Sequence, residues 1–215
     1  MTLEDARANA SLEAFLTTVV LTHVRFSAWD SVLAQPTPPN DLRYVRGMWH
    51  YARGLAHAAR GNHVASAAEL DTLRAIASGT PASVIIILNP APTMLELAAD
   101  VLAGELARRQ GRAEDALRHL QAAVRREDAL TYDEPPPWYH STRHLLGTTL
   151  LSLGRETAAE AAFRDDLRTY RENGWSLAGL ERALRQQGRD VDAAAIAARL
   201  AAAWRDADVP AIAQR

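Results

Sequence analysis

Glycine recurs in this chain at one spacing. Gly54 and Gly61 are seven residues apart, as are Gly104 and Gly111, and again Gly147 and Gly154. The text around them repeats as well, in GLAHAARGN, GELARRQGR and GTTLLSLGR, and in ERALRQQGR, which lacks the first glycine. From Gly154 to Gly188 is 34 residues, and from Ser27 to Gly61 is 34 again. The second glycine of each pair is expected to end a helix, where the backbone turns left-handed and only glycine does so cheaply. The first falls inside a helix, where it costs about 1 kcal/mol against alanine unless its bare face admits a second helix. After each closing glycine a new amphipathic segment begins, as in RAEDALRHLQAAV and RETAAEAAFRDDL. Apolar residues there fall at intervals of three and four, which predicts helices with one buried stripe.

An all-α chain built of helix pairs follows. These glycines, with Ala159 and Phe163 after one pair and Ala116 and Leu120 after another, resemble the tetratricopeptide repeat family, whose unit is two antiparallel helices in about 34 residues. The resemblance implies a right-handed α-solenoid of about five tetratricopeptide-like pairs, forming one domain over 1–215. The approximate pairs are 3–35, 41–78, 93–130, 138–171 and 175–205, beginning near Leu3, Leu42, Thr93, Trp138 and Trp175. The chain departs from a regular array by placing 50 residues between Gly61 and Gly111 and 43 between Gly111 and Gly154, so the connectors are irregular. VRFSAWDSVLAQPTPP, WHYARGLAHAARG, YDEPPPWYHSTRHLLG and ENGWSLAGL also resemble the C-terminal part of a group of longer bacterial proteins with such repeats.

Proline supplies the punctuation. All ten prolines, at 36, 38, 39, 81, 90, 92, 135, 136, 137 and 210, fall outside the expected helices, since a proline in a helix interior costs about 3 kcal/mol. DEPPP thus separates two repeats, and Trp138 is expected to open a new helix. SVIIILNPAP reads as an extended connector packed over the edge of the array, with a short edge strand or a dimer contact as alternatives.

Composition bounds the chemistry. Cysteine is absent, which excludes disulfides, thiolate metal sites and cysteine nucleophiles. The net charge is −2, from 24 basic and 26 acidic residues spread along the chain, and every basic residue is arginine. Arg108/Arg109 and Arg125/Arg126 sit among acids, so no basic face for nucleic acid is expected. The opening MTLED lacks the basic start of an export signal and no apolar run reaches the length of a membrane span, so a cytoplasmic protein is expected. No GxSxG, Walker, Rossmann or HExxH pattern occurs.

Two site readings remain. The resemblance implies a concave groove lined by the first helix of each pair, which places Met48, Tyr51, Val101, Glu105, Ser141, His144, Trp175 and Arg182 on a binding surface. A non-catalytic scaffold taking a protein segment or a small amphipathic ligand, with no cofactor, is the expectation. The alternative is a metal-dependent enzyme acting on a small molecule. His140 and His144, at i and i+4, would share a helix face and hold one transition-metal ion, with Tyr139 or Glu134 assisting. His50 and His57 are seven apart, roughly 10.5 Å along a helix, too far to share one ion. Finally, Leu12, Phe15, Leu16, Val19, Val20, Val24 and Phe26 make the N-terminal helix unusually apolar, and pairing through that face is expected, with a second copy as a homodimer or with another chain.

Overall fold

A computed structural model of the chain describes residues 2–207. In chain order the elements are α1 (Leu3–Ala8), a 3-10 turn (Ala10–Leu12), α2 (Glu13–Leu16), α3 (Thr18–Arg25) and α4 (Trp29–Leu33). Then come α5 (Arg43–Ala59), α6 (His63–Gly79), β1 (Ile85–Ile86), β2 (Asn89–Pro90), α7 (Ala91–Arg109) and α8 (Ala113–Asp128). The last four are α9 (Thr142–Ser152), α10 (Glu156–Thr169), α11 (Gly174–Gln186) and α12 (Asp190–Ala203). The described chain is all-helical apart from the short β1–β2 hairpin. None of its helices is long and apolar enough to cross a membrane.

The closing glycines set this pattern. Gly61, Gly111, Gly154 and Gly188 have φ of +77°, +73°, +67° and +72°. Each sits between two paired helices joined by only three residues. At Gly61 its own N–H donates to Ala58 O at 3.0 Å, and the next N–H, of Asn62, reaches back to His57 O at 2.9 Å. The same two bonds recur at Gly111, Gly154 and Gly188, in each case satisfying carbonyls that the helix end would leave open. The residue after each glycine is already the N-cap of the following helix, so the chain reverses at once.

Inside the helices, the first glycines are places of close approach. A Cβ on Gly104 would lie 2.8 Å from Leu120 Cγ, and one on Gly147 would lie 2.6 Å from Phe163 Cε1. Gly54 behaves differently: Leu102 of α7, from the next pair, packs on it, and Leu95 of α7 packs on Gly47. Those two notches let α5 lie directly against α7 as well as α6.

The chain divides into two compact units, Met1–His140 and Ser141–Arg215. The core of the first is built from Leu42, Met48, Tyr51, Leu73, Leu95, Leu97 and Leu102, all fully buried. In the second, Phe163 is wedged between Gly147 and Gly179, with Leu177, Leu180 and Leu184 packed into the same core.

Several boundaries differ from expectation. Segment 3–35 is not a helix pair but a run of short helices. It breaks at Asn9, whose side chain caps the 3-10 turn, and again at Thr17. Trp138 does not open a helix; α9 begins at Thr142, because 133–141 remain irregular past the prolines. Pro92 lies in the first turn of α7, where its missing N–H removes no helical bond. Pro210 lies outside the described residues. SVIIILNPAP forms an antiparallel hairpin, Ile85 opposite Pro90 and Ile86 opposite Asn89, which is the strand alternative rather than a plain connector.

Ser27 completes the glycine series. It has φ +54°, its N–H donates to Val24 O at 3.0 Å, and Ala28 N–H donates to His23 O at 2.9 Å. This is the same helix closure with a side chain in the left-handed position, 34 residues before Gly61. Ser27→Gly should therefore stabilise the protein by about 0.5–1 kcal/mol, whereas Gly154→Ala should destabilise it by about 1 kcal/mol. Urea midpoints of the two variants measured beside the parent check both signs.

Candidate functional site

The stretch TYDEPPPWYH joins three other segments of the first unit to line a cavity of 310 Å³ that is partly open to solvent. One wall is α2 and α3, through Ala14, Phe15, Thr18, Leu21, Arg25 and Phe26. A second is the start of α5, through Tyr44 and Met48. Pro135, Pro136, Pro137, Trp138 and Tyr139 form the third, and Ile87 at the hairpin tip touches the same space. Side-chain hydrogen bonds tie these walls together. Asn89 Nδ2 donates to Thr131 O at 3.1 Å and Asn89 Oδ1 accepts from Thr131 N–H at 2.8 Å, which fastens the hairpin to the proline segment. Ser11 Oγ donates to Ile85 O at 3.2 Å, which fastens the hairpin to the N-terminal helices. Glu13 is buried and accepts the Val45 N–H at 3.1 Å, so α2 supplies the first turn of α5 with an acceptor that Leu42, its N-cap residue, lacks. Burial pushes the Glu13 carboxyl up, against the pull of the backbone donors of Val45 and Tyr44. Ile87 has φ +58°, a conformation β-branched residues rarely adopt, and it sits at the cavity wall.

The inner end of the cavity is aromatic. Tyr139 Oη and Tyr51 Oη are 2.9 Å apart, Trp138 and Tyr139 ring centroids are 5.3 Å apart, and Tyr51 and Trp138 are 5.8 Å apart. Burial raises all three phenols here. Tyr139 is pushed up to about 12, although its bond to Tyr51 and the charge of Arg25 pull the other way. Tyr51 is raised further, by burial and by Tyr139, and Tyr44 by burial and the Glu13 charge. Near neutral pH these groups are un-ionised hydroxyls, able to donate and accept hydrogen bonds but not to act as bases.

Of the residues expected to line a groove, Met48 is in the cavity wall and Tyr51 stands behind it, hydrogen-bonded to the lining residue Tyr139. Val101, also of the first unit, is 1% exposed inside α7 and presents no surface to a ligand. Glu105 accepts from its own helix neighbours, Arg108 at 2.7 Å and Arg109 at 2.7 Å, so its charge is already engaged. In the second unit, Ser141 is the buried N-cap residue of α9 and His144 is fully buried with its ring 6.1 Å from Phe163. Trp175 packs edge-on against Trp204, centroids 4.6 Å apart, and Arg182 is exposed. His144 and Val101 are thus corrected from groove to core, because their helices bury the face on which the repeat pattern places them.

The metal reading loses its geometric premise. His140 precedes α9 rather than lying on it, so His140 and His144 do not share a helix face. Among the described residues no three His, Asp or Glu side chains gather as a group that could hold a metal ion.

One cluster escaped the sequence. His50 and His57, too far apart on α5 to act together, both reach Glu69 on α6. His50 Nδ1 is 2.5 Å from Glu69 Oε2, His57 Nε2 is 3.9 Å from Oε1, and Arg53 Nε donates to Oε1 at 2.8 Å. Arg53 also lies over the Trp49 ring, 4.5 Å from its centroid. The spacing of the histidines, one helical face over two turns, carried a hint of this, but the acid comes from the partner helix. No family model matches the chain, and neither a curated protein nor a solved structure matches it.

Burial alone would raise Glu69, but its bonds to His50 and Arg53 outweigh that and hold the carboxyl below the usual range. Its contribution is therefore complete above about pH 4.5 and lost as pH falls through the lowered value. Burial, with Arg53 nearby, lowers His57, so the unfolded chain takes up that proton first and stability falls once pH drops below about 6.5. Both effects have one sign. The urea midpoint should decline from pH 7.5 towards pH 3, with His57→Gln flattening the decline below about pH 6.5 and Glu69→Gln the part below about pH 4.5.

Proposed function

We propose that this chain is a non-catalytic binding protein, a right-handed solenoid of tetratricopeptide-like helix pairs that takes the apolar part of its ligand into the cavity of the first unit. The observation that carries the reading is the cavity itself. Its volume of 310 Å³ is at the lower end of small-ligand sites, and its walls are mainly aromatic and aliphatic, with Thr17, Thr18, Thr22 and Arg25 as polar members. Phe15 and Phe26 stand at its rim 58% and 55% exposed, and large apolar side chains held in water beside a cavity mark a surface that gains by being covered.

The repeat assignment is supported by the four three-residue reversals at left-handed glycines. Two pairs add a bare glycine under a bulky residue of the second helix, Gly104 under Leu120 and Gly147 under Phe163. The wall chemistry supports binding over catalysis, since burial keeps the phenols neutral and apolar groups dominate the lining.

A neutral apolar fluorophore, N-phenyl-1-naphthylamine, tests the cavity without involving charge. It should bind with one saturable equivalent and lose roughly ten-fold or more in affinity in Thr18→Trp, which places an indole in the cavity from an exposed lining position. Unaltered binding in that variant, or no saturable binding to the parent chain, would reject the cavity as the site.

A further inference from the structure

We propose that the ligand of this cavity is a small neutral carbonyl compound, a ketone, ester or lactone with an aromatic or branched body, whose carbonyl oxygen accepts the Tyr139 hydroxyl proton. This rests on the binding role proposed above and adds the ligand class to it. Proton counting at the inner end of the cavity leads there. Tyr51 Oη and Tyr139 Oη are 2.9 Å apart and share one hydrogen bond, in which either could donate. Two hydroxyls bring two protons, and that bond uses one of them. Tyr51 is 1% exposed, so if Tyr139 donated, the Tyr51 proton would be left in the core with no further acceptor among the described residues. A buried donor without an acceptor is costly. The stable order therefore has Tyr51 O–H donating to Tyr139 Oη, which leaves the spare proton on Tyr139, half-buried in the cavity wall. Burial raises both phenols, and beyond that the shared bond raises Tyr51 and lowers Tyr139, the signs of donor and acceptor respectively.

A second donor belongs to the same wall. Trp138 is 3% exposed, and its indole Nε1–H is buried without a hydrogen-bond partner. An indole N–H can only donate, and buried donors in native proteins almost always meet an acceptor, from the chain or from something bound. Thr17 and Thr22, which also line the cavity, spend their own protons on Ala14 O and Thr18 O. No carboxylate lines the space to hold a ligand cation, and Arg25, the lining residue that is charged at neutral pH, already has an interaction of its own in the chain. What this wall lacks is an uncharged acceptor, and a carbonyl brings one, with two lone pairs, on an otherwise apolar molecule. Tyr51 does not touch that ligand; it is a positioning residue, and by donating to Tyr139 it makes Tyr139 the stronger donor. Size sets the other limit, since 310 Å³ holds one aromatic ring with a short acyl chain.

The test uses the full chain and displacement of N-phenyl-1-naphthylamine by 4-phenylbutan-2-one and by 2-methyl-4-phenylbut-1-ene, in which a methylene of similar shape replaces the carbonyl oxygen. The ketone should bind roughly ten-fold tighter, although the alkene is the more hydrophobic. With carbon-13 at its carbonyl, the bound ketone should show an infrared carbonyl stretch below its position in an apolar solvent. Tyr139→Phe should remove most of the preference and return the stretch towards that position. Tyr51→Phe should keep part of both, because Tyr139 retains its proton, and a smaller fall of the stretch is an effect that lost packing alone would not produce. The ketone–alkene comparison and the infrared band are read on the parent chain, so the outcome does not depend on the variants folding. Equal affinity of ketone and alkene, or an unshifted stretch, would overturn the carbonyl assignment while leaving the cavity as a binding site. Failure of both compounds to displace a bound fluorophore would overturn it too, and tighter binding of 4-phenylbutyrate than of the ketone would overturn its neutrality. If N-acetyl-Leu-Phe-amide binds tighter than the ketone, the carbonyl belongs to a peptide backbone and the small-molecule assignment fails. Absence of saturable fluorophore binding would reject the binding role, and this proposal with it.

Discussion

Everything in this fold hangs on a backbone angle that most residues avoid. Where a helix closes with a left-handed residue, two N–H groups turn back onto its last open carbonyls and the chain leaves in the opposite direction. Four glycines do this at φ between +67° and +77°, and Ser27 does it at +54°. Because only three residues separate the paired helices at the glycines, the second helix has no freedom to wander. It returns against the first, and the apolar stripes of both are buried together. Removing the left-handed turn would leave amphipathic helices with no fixed partner.

The second constraint is the absence of a side chain. Gly104 and Gly147 accept a bulky residue from the returning helix of their own pair, Leu120 and Phe163. Gly54, at the same distance from its closing glycine, accepts Leu102 from the following pair instead, and Gly47 one turn and more earlier accepts Leu95. That face of α5 is thereby used up by α7. Tyr44, Met48 and Tyr51 lie beside it: Trp138 and Tyr139 pack on Tyr51, and Tyr44 and Met48 line the cavity.

Much of the helical plan was legible because helix ends and helix stripes are local. The Gly54–Gly61 spacing needs no knowledge of the rest of the chain, and neither does the periodicity of RAEDALRHLQAAV. The N-terminal segment was misread because an apolar run says nothing about where a helix breaks, and here Asn9 and Thr17 break it. Trp138 was misread for a related reason: proline stops a helix but does not say how soon the next one starts. The histidines show the limit most clearly. His140 and His144 have the spacing of ligands and lack the helix that would align them, while His50 and His57 lack the spacing and meet on Glu69.

The cavity draws on residues from Ala14 to Tyr139, and no period or motif relates them. They meet because Asn89 holds Thr131, Ser11 holds Ile85, and Glu13 holds the start of α5, each a bond between segments far apart in the chain. By itself the sequence determined the helix pairs and their reversals, since left-handed turns, capping and amphipathic stripes depend on neighbours within a few residues. Which surfaces face each other, and so which aromatic groups line a common space, only the tertiary structure decided, because burial and charge act through distance in space and not along the chain.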